Sequence, residues 1–123
     1  MINVTHDMKI MDEETLGPIL PVMTYSVIDE AIGFANRTQY GLGGAVFAGT
    51  EDEAMEIARK MKCGAISIND AALTAVLQAG EKYPYKMSGI GGTRIGPSSI
   101  KKFMKQKAYI INGHSVNDPW WFG

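Results

Sequence analysis

The run Gly44-Ala45-Val46-Phe47-Ala48, the cluster Thr50-Glu51-Asp52-Glu53 and the run Gly64-Ala65-Ile66-Ser67-Ile68-Asn69 decide the fold. Residues 44–48 and 65–69 are short apolar runs of strand length. Between them, Thr50 stands three residues ahead of Glu53, the spacing of a capping box. Ala54, Ile57, Ala58 and Met61 then recur at the interval of a helix with one buried face. Acids crowd its first turn, and Arg59, Lys60 and Lys62 crowd its last, as the helix dipole favours. Gly64 is expected to end this helix. Strand, helix and strand with short connections predict parallel strands joined by a right-handed crossover, in an α/β architecture.

The same pattern extends upstream. Residues 19–25 read as a first strand, with Pro21 confined to its first part or to an edge because it has no N–H for a ladder. Ser26-Val27-Ile28-Asp29 reads as another capping box, followed by Ile28, Ala31, Ile32 and Ala35 at helical spacing. Gly41 is expected to close that helix, with Leu42 making the apolar contact of a Schellman stop. The expected core is therefore a parallel sheet with flanking helices. Downstream, residues 70–86 read as a long loop with room for one helical turn, and loops beyond about a dozen residues in a compact domain are usually functional or disordered. Pro97 suits a first helical position. Residues 108–111 read as a fourth strand, ahead of the aromatic tail Asp118-Pro119-Trp120-Trp121-Phe122.

With 123 residues, 46% of them hydrophobic, the chain has the size of one domain and can bury about two thirds of its unfolded surface. A formal net charge of -1 and a pI near 6.1 point away from nucleic acid or an anionic membrane as partner. No apolar run approaches the ~20 residues of a membrane span, and the acidic N-terminus is unlike a signal peptide. One cysteine excludes an internal disulfide and fits a reducing compartment. The expectation is a soluble cytoplasmic protein.

Glu13-Glu14-Thr15-Leu16-Gly17-Pro18 sets two carboxylates on a stiff turn, since Pro18 fixes its own φ and pushes Gly17 from the α region. They read either as a solvated surface pair or as a site in which one carboxylate accepts hydrogen bonds from ligand hydroxyls. Cys63, at the negative end of the second helix, lacks the setting of a nucleophile. Neither His6 nor His114 has a sequence reason to lie near it, and no zinc spacing is present. Gly41-Leu42-Gly43-Gly44 precedes a strand instead of following one, and Gly89-Ile90-Gly91 leads to Arg94 where a dinucleotide turn wants glycine. Both read as tight turns. Ligands of parallel sheets gather at the carboxyl ends of strands, which favours Asn69.

Glu14-Thr15-Leu16-Gly17-Pro18, Tyr40-Gly41-Leu42, Gly64-Ala65-Ile66-Ser67-Ile68-Asn69 and Lys86-Met87-Ser88-Gly89-Ile90-Gly91 occur together in one order. In that order and spacing the chain resembles the C-terminal part of NAD(P)-dependent aldehyde dehydrogenases. The resemblance implies that residues 1–107 form part of the catalytic domain and residues 108–123 an oligomerisation strand and tail. It implies NAD or NADP as cofactor, with Glu14 on the nicotinamide ribose and Leu16 where the family's Glu-x-Phe-Gly-Pro motif places a phenylalanine. The loop after Asn69 resembles the substrate-entrance loop, with Tyr83 and Tyr85 as candidates for its lining. Gly92-Thr93-Arg94 departs from the family's usual ending of that glycine-rich segment. The resemblance assigns the nucleophilic cysteine, the general-base glutamate, the oxyanion-hole asparagine and the nucleotide-binding domain to segments ahead of this one. The implied partners are a second copy or a complementary aldehyde dehydrogenase segment. Two readings follow: part of an enzyme that oxidises an aldehyde to a carboxylic acid, or a non-catalytic remnant that keeps the fold and the oligomerising strand.

Overall fold

A computed structural model describes residues 3–77 and 79–111. In chain order these form a 3-10 turn (Lys9–Met11), α1 (Ile28–Ala35), β1 (Tyr40–Gly41), β2 (Gly43–Val46), α2 (Glu51–Lys60), β3 (Ala65–Ile68), α3 (Leu73–Val76), β4 (Tyr85–Lys86) and a 3-10 helix (Pro97–Phe103).

The central unit is the expected one. Thr50 adopts extended angles, its hydroxyl accepts from the Glu53 N–H at 3.3 Å, and Glu53 Oε2 accepts from the Thr50 N–H at 3.1 Å. This reciprocal cap starts α2. On either side of it, β2 and β3 run parallel, from Gly43 opposite Ala65 to Val46 opposite Ile68. Ala54 and Ala58 turn inward from α2 against Val46, and Ile57, Met61, Ile66 and Ile68 complete the cluster. The arrangement is α/β with a parallel pair, as the sequence pattern predicts. A second, antiparallel pair joins β1 to β4, with Tyr40 opposite Lys86 and Gly41 opposite Tyr85.

Three upstream expectations are corrected. Residues 19–25 form no strand: Pro18 and Pro21 withhold ladder donors, and Leu20, Val22 and Tyr25 are exposed. Ser26 is not a cap, because the N-cap is Val27, which has no side-chain acceptor. Asp29 therefore falls at the second helical position and accepts instead from Lys60 Nζ at 2.8 Å, tying α1 to α2. Gly41 does not close α1. The helix ends at Ala35, and Asn36 follows as its C-cap.

Two further expectations change downstream. α2 stops at Lys60, where Met61 turns extended, so Gly64 is not its terminator. Asn36 supports the ending from outside: its Nδ2 donates to the Lys60 carbonyl at 2.8 Å and its Oδ1 accepts from the Lys62 N–H at 2.7 Å. Gly64 is required for another reason, since a Cβ there would collide with the carbonyl of Tyr83. Residues 108–111 form no strand among the described residues; Tyr109, Ile110 and Ile111 are exposed, and Lys107 Nζ lies 5.0 Å from the Tyr109 ring centre. An edge sequence without a neighbouring strand has no ladder to join. The aromatic residues 118–122 lie outside the described residues.

Thr50→Ala removes one half of the cap and should lower stability by about 1 kcal/mol, whereas Thr50→Ser should retain most of it. Urea unfolding of the two variants beside the parent checks this, with a shifted midpoint and an unchanged slope as the expected outcome.

Candidate functional site

Three backbone segments cross beside β1. The Gly41 carbonyl accepts from the Gly64 N–H at 3.1 Å, and the Gly41 N–H donates to Ser88 Oγ at 2.9 Å. A Cβ at Gly41 would lie 2.6 Å from the Lys62 carbonyl and 2.8 Å from Tyr85 Cβ, so only glycine admits the crossing. Lys86 holds β4 in place with a positive φ of 53° and an ammonium that donates at 2.9 Å to each of the Asn36 and Thr38 carbonyls. Those carbonyls follow the end of α1, where the helix dipole favours a cation.

The crossing forms one wall of a cavity of about 480 Å³, bordered by Asp12, Glu14, Lys62, Cys63 and Ser88. That volume is in the range of small-molecule sites. Its acids differ in engagement. Asp12 is paired with Arg37 at 3.2 Å and Glu13 with Lys9 at 3.9 Å, while the Glu14 carboxylate has no hydrogen-bond or ion-pair partner among the described residues. Glu14 is thus an open acceptor on the rim of a cavity of mixed polar and apolar lining.

Cys63 is half-buried on the same wall, and its thiol points to the Ala65 carbonyl at 3.7 Å. Burial pushes that thiol above its ordinary pKa, and the opposing pull of Lys86 is weaker. A thiol held protonated is a poor nucleophile at neutral pH. His6 does not assist it, being stacked on Phe34 with ring centres 3.3 Å apart.

The remaining candidates lie elsewhere. Leu16 is 94% exposed and does not border the cavity of Glu14. Asn69, at φ 50°, clamps the carboxyl ends of both parallel strands: its Oδ1 accepts from the Ala48 N–H and its N–H donates to the Val46 carbonyl, each at 2.8 Å. Tyr83 donates its hydroxyl to Glu81 Oε2 at 3.1 Å, and Tyr85, in β4, is about half exposed. Neither tyrosine borders the cavity with Glu14. Ser88 and Lys86 are the positions fixing this crossing that sequence reasoning passed over. The only signal was their place in Lys86-Met87-Ser88-Gly89, where the glycine drew attention and the hydroxyl did not.

Among the described residues no group of three or more His, Cys, Asp or Glu is placed to hold a metal ion, and no helix is long and apolar enough to cross a membrane.

The sequence profile of the aldehyde dehydrogenase family matches residues 1–109. The chain belongs to the aldehyde dehydrogenase family. It is 41% identical over 107 residues to a Staphylococcus haemolyticus protein provisionally named an aldehyde dehydrogenase, a match covering 87% of this chain and 22% of that protein. A solved structure of PutA from Anabaena variabilis, provisionally named in the same way, is 53% identical and superposes with a TM-score of 0.87 over 99% of this chain and 26% of its own. The Mycobacterium tuberculosis aldehyde dehydrogenase solved with NAD+ is 31% identical, with a TM-score of 0.82 over 94% of this chain and 23% of that one. This aldehyde dehydrogenase segment therefore spans about a quarter or less of the length of each of these relatives.

The Cys63 geometry predicts slow alkylation. Iodoacetamide labelling followed by mass spectrometry across a pH series should place half-maximal reactivity above that of an unhindered thiol. In denaturant it should return to the ordinary range. Rapid labelling of the folded chain at neutral pH would contradict the buried, protonated thiol.

Proposed function

We propose that this chain serves an aldehyde dehydrogenase of the cytoplasm, which oxidises an aldehyde to a carboxylic acid with NAD or NADP, and that residues 1–107 contribute to its catalytic domain. The observation that carries the reading is Glu14, an unpaired carboxylate on the rim of a cavity, in a chain of this family. A carboxylate has no proton to donate and can accept from two hydroxyls at once, which suits the ribose of a nicotinamide nucleotide. The exposed, partner-free acceptor is the feature that fits the cofactor. The nucleotide, when bound, supplies the hydride acceptor.

The chain's own residues then position and enclose. Glu14 fixes the ribose, and Leu16 offers the nicotinamide an aliphatic surface where the family motif has an aromatic one. Asn69 anchors the start of the loop on the substrate side through its bonds to Ala48 and Val46, and Tyr83 and Tyr85 lie farther along the same loop. The nucleophile and the general base belong to a complementary segment in this reading, since Cys63 is held protonated and His6 is stacked away from it.

A chimera tests it, with this chain replacing the matching segment of Anabaena variabilis PutA. It should oxidise aldehydes, and the 123-residue chain alone should not. In the chimera, Glu14→Gln keeps shape and loses charge, and a charge-assisted hydrogen bond contributes about 1.5 to 3 kcal/mol. The expected result is a rise of about tenfold or more in the KM for the nucleotide, with the fold intact. An unchanged KM and rate would return Glu14 to the surface pair.

Exposure of Phe103, Met104, Tyr109, Ile110 and Ile111 favours a second role, association through residues 108–123 and the segment before them. Apolar surface of this kind marks a contact with another chain, here a second copy or the complementary segment. Sedimentation over a dilution series should show a dimer or larger species at micromolar concentration, weakened by deleting residues 108–123. A monomer throughout would remove self-association and leave the complementary segment.

A further inference from the structure

Lys82, Arg94 and Thr74 border a second cavity of about 420 Å³, whose remaining wall among the described residues is apolar side chains and Gly43, with no Asp or Glu. One buried hydroxyl joins the two segments that carry these cations. Thr93, 1% exposed, accepts from the Lys82 N–H at 3.1 Å and from the Ile95 N–H at 3.3 Å, and donates to the Ile95 carbonyl. Arg94 sits between Thr93 and Ile95, so the backbone of Lys82 is pinned to the turn that carries Arg94. Neither the Lys82 ammonium nor the Arg94 guanidinium has an ion-pair or hydrogen-bond partner among the described residues. Glu81, the adjacent acid, is engaged elsewhere: it accepts from the Ser98 N–H at 2.7 Å and from the Tyr83 hydroxyl at 3.1 Å.

The opposite wall is also fixed. Thr74 donates its N–H to Ser67 Oγ at 3.1 Å, and Ser67 is 2% exposed. The Thr74 hydroxyl is without a partner among the described residues, and Gly43 lies beside it on the cavity wall. Two cationic side chains lining one cavity attract an anion placed between them. Arg supplies a planar fork for two oxygens, Lys a mobile point charge, and Thr a neutral donor.

We infer that this cavity binds a small oxyanion, a carboxylate or a phosphate, through Arg94 and Lys82 with Thr74 as third donor. The inference rests on the charge and lining of this cavity and stands independently of the catalytic reading. The full isotope-labelled chain is titrated with succinate and, separately, with inorganic phosphate, against chloride at matched ionic strength, while the amide signals of Thr74, Ala75, Lys82 and Ile95 are followed. Saturable shifts at these amides are expected, the stronger responder identifying which oxyanion the cavity prefers. Arg94→Gln and Lys82→Gln should each weaken binding about tenfold, with the rest of the spectrum unchanged, and Lys82→Arg should retain it. Shifts that chloride reproduces, that persist in both glutamine variants, or that are absent for both anions overturn the site.

Discussion

Everything else in the structure depends on how closely α2 can approach β2 and β3. Ala54 and Ala58 carry no atoms beyond Cβ, so the helix settles onto Val46 with little side-chain volume between them, and both alanines end almost fully buried. Larger residues at those two positions would lift the helix and strain the short connections on either side of it. The capping box at Thr50 and the Asn36 clamp at Lys60 and Lys62 then fix where this close contact begins and ends. The cavity of Glu14 lies just beyond the second of these fixed points, and Asn69 sits at the other end of the same strands.

The part of the fold that could be read from the sequence is the part governed by local chemistry. A Thr three residues before a Glu, alanines at helical spacing and apolar runs on either side specify β2, α2 and β3 within a few residues. Where the reading failed, the deciding partner was distant in sequence. Gly41 and Gly64 look like helix stops to any local rule, yet each is glycine because another backbone passes against it. The β1–β4 pair joins two-residue strands more than forty positions apart, too short to leave a periodic signature. Ser26 misled through its side chain's suitability as a cap, because the backbone places that role one residue later on Val27.

The candidate site shows the same division. Glu14 was legible through its motif and stands open at a cavity, whereas the motif had nothing to say about the Ser88 hydroxyl that closes the Gly41 crossing. Asn69 was singled out for its position at a strand's carboxyl end. The structure shows that its amide and backbone stitch the two strands together. The cationic cavity of Lys82 and Arg94 was not legible at all, because a solvated lysine and one whose backbone is pinned by a buried threonine look alike until the chain is folded.

The crossing of Gly41, Gly64 and the Tyr83 carbonyl is built mainly from main chain, with the Ser88 hydroxyl closing it. Its geometry is therefore insensitive to the identity of the residues between Asp70 and Lys82, which contribute none of its contacts. Such a joint separates two kinds of evolutionary freedom: the frame tolerates almost no variation at a few glycines, while the intervening loop can drift in composition without moving its own anchors. A lineage could in this way retune what the loop admits and keep the position of the neighbouring rim unchanged.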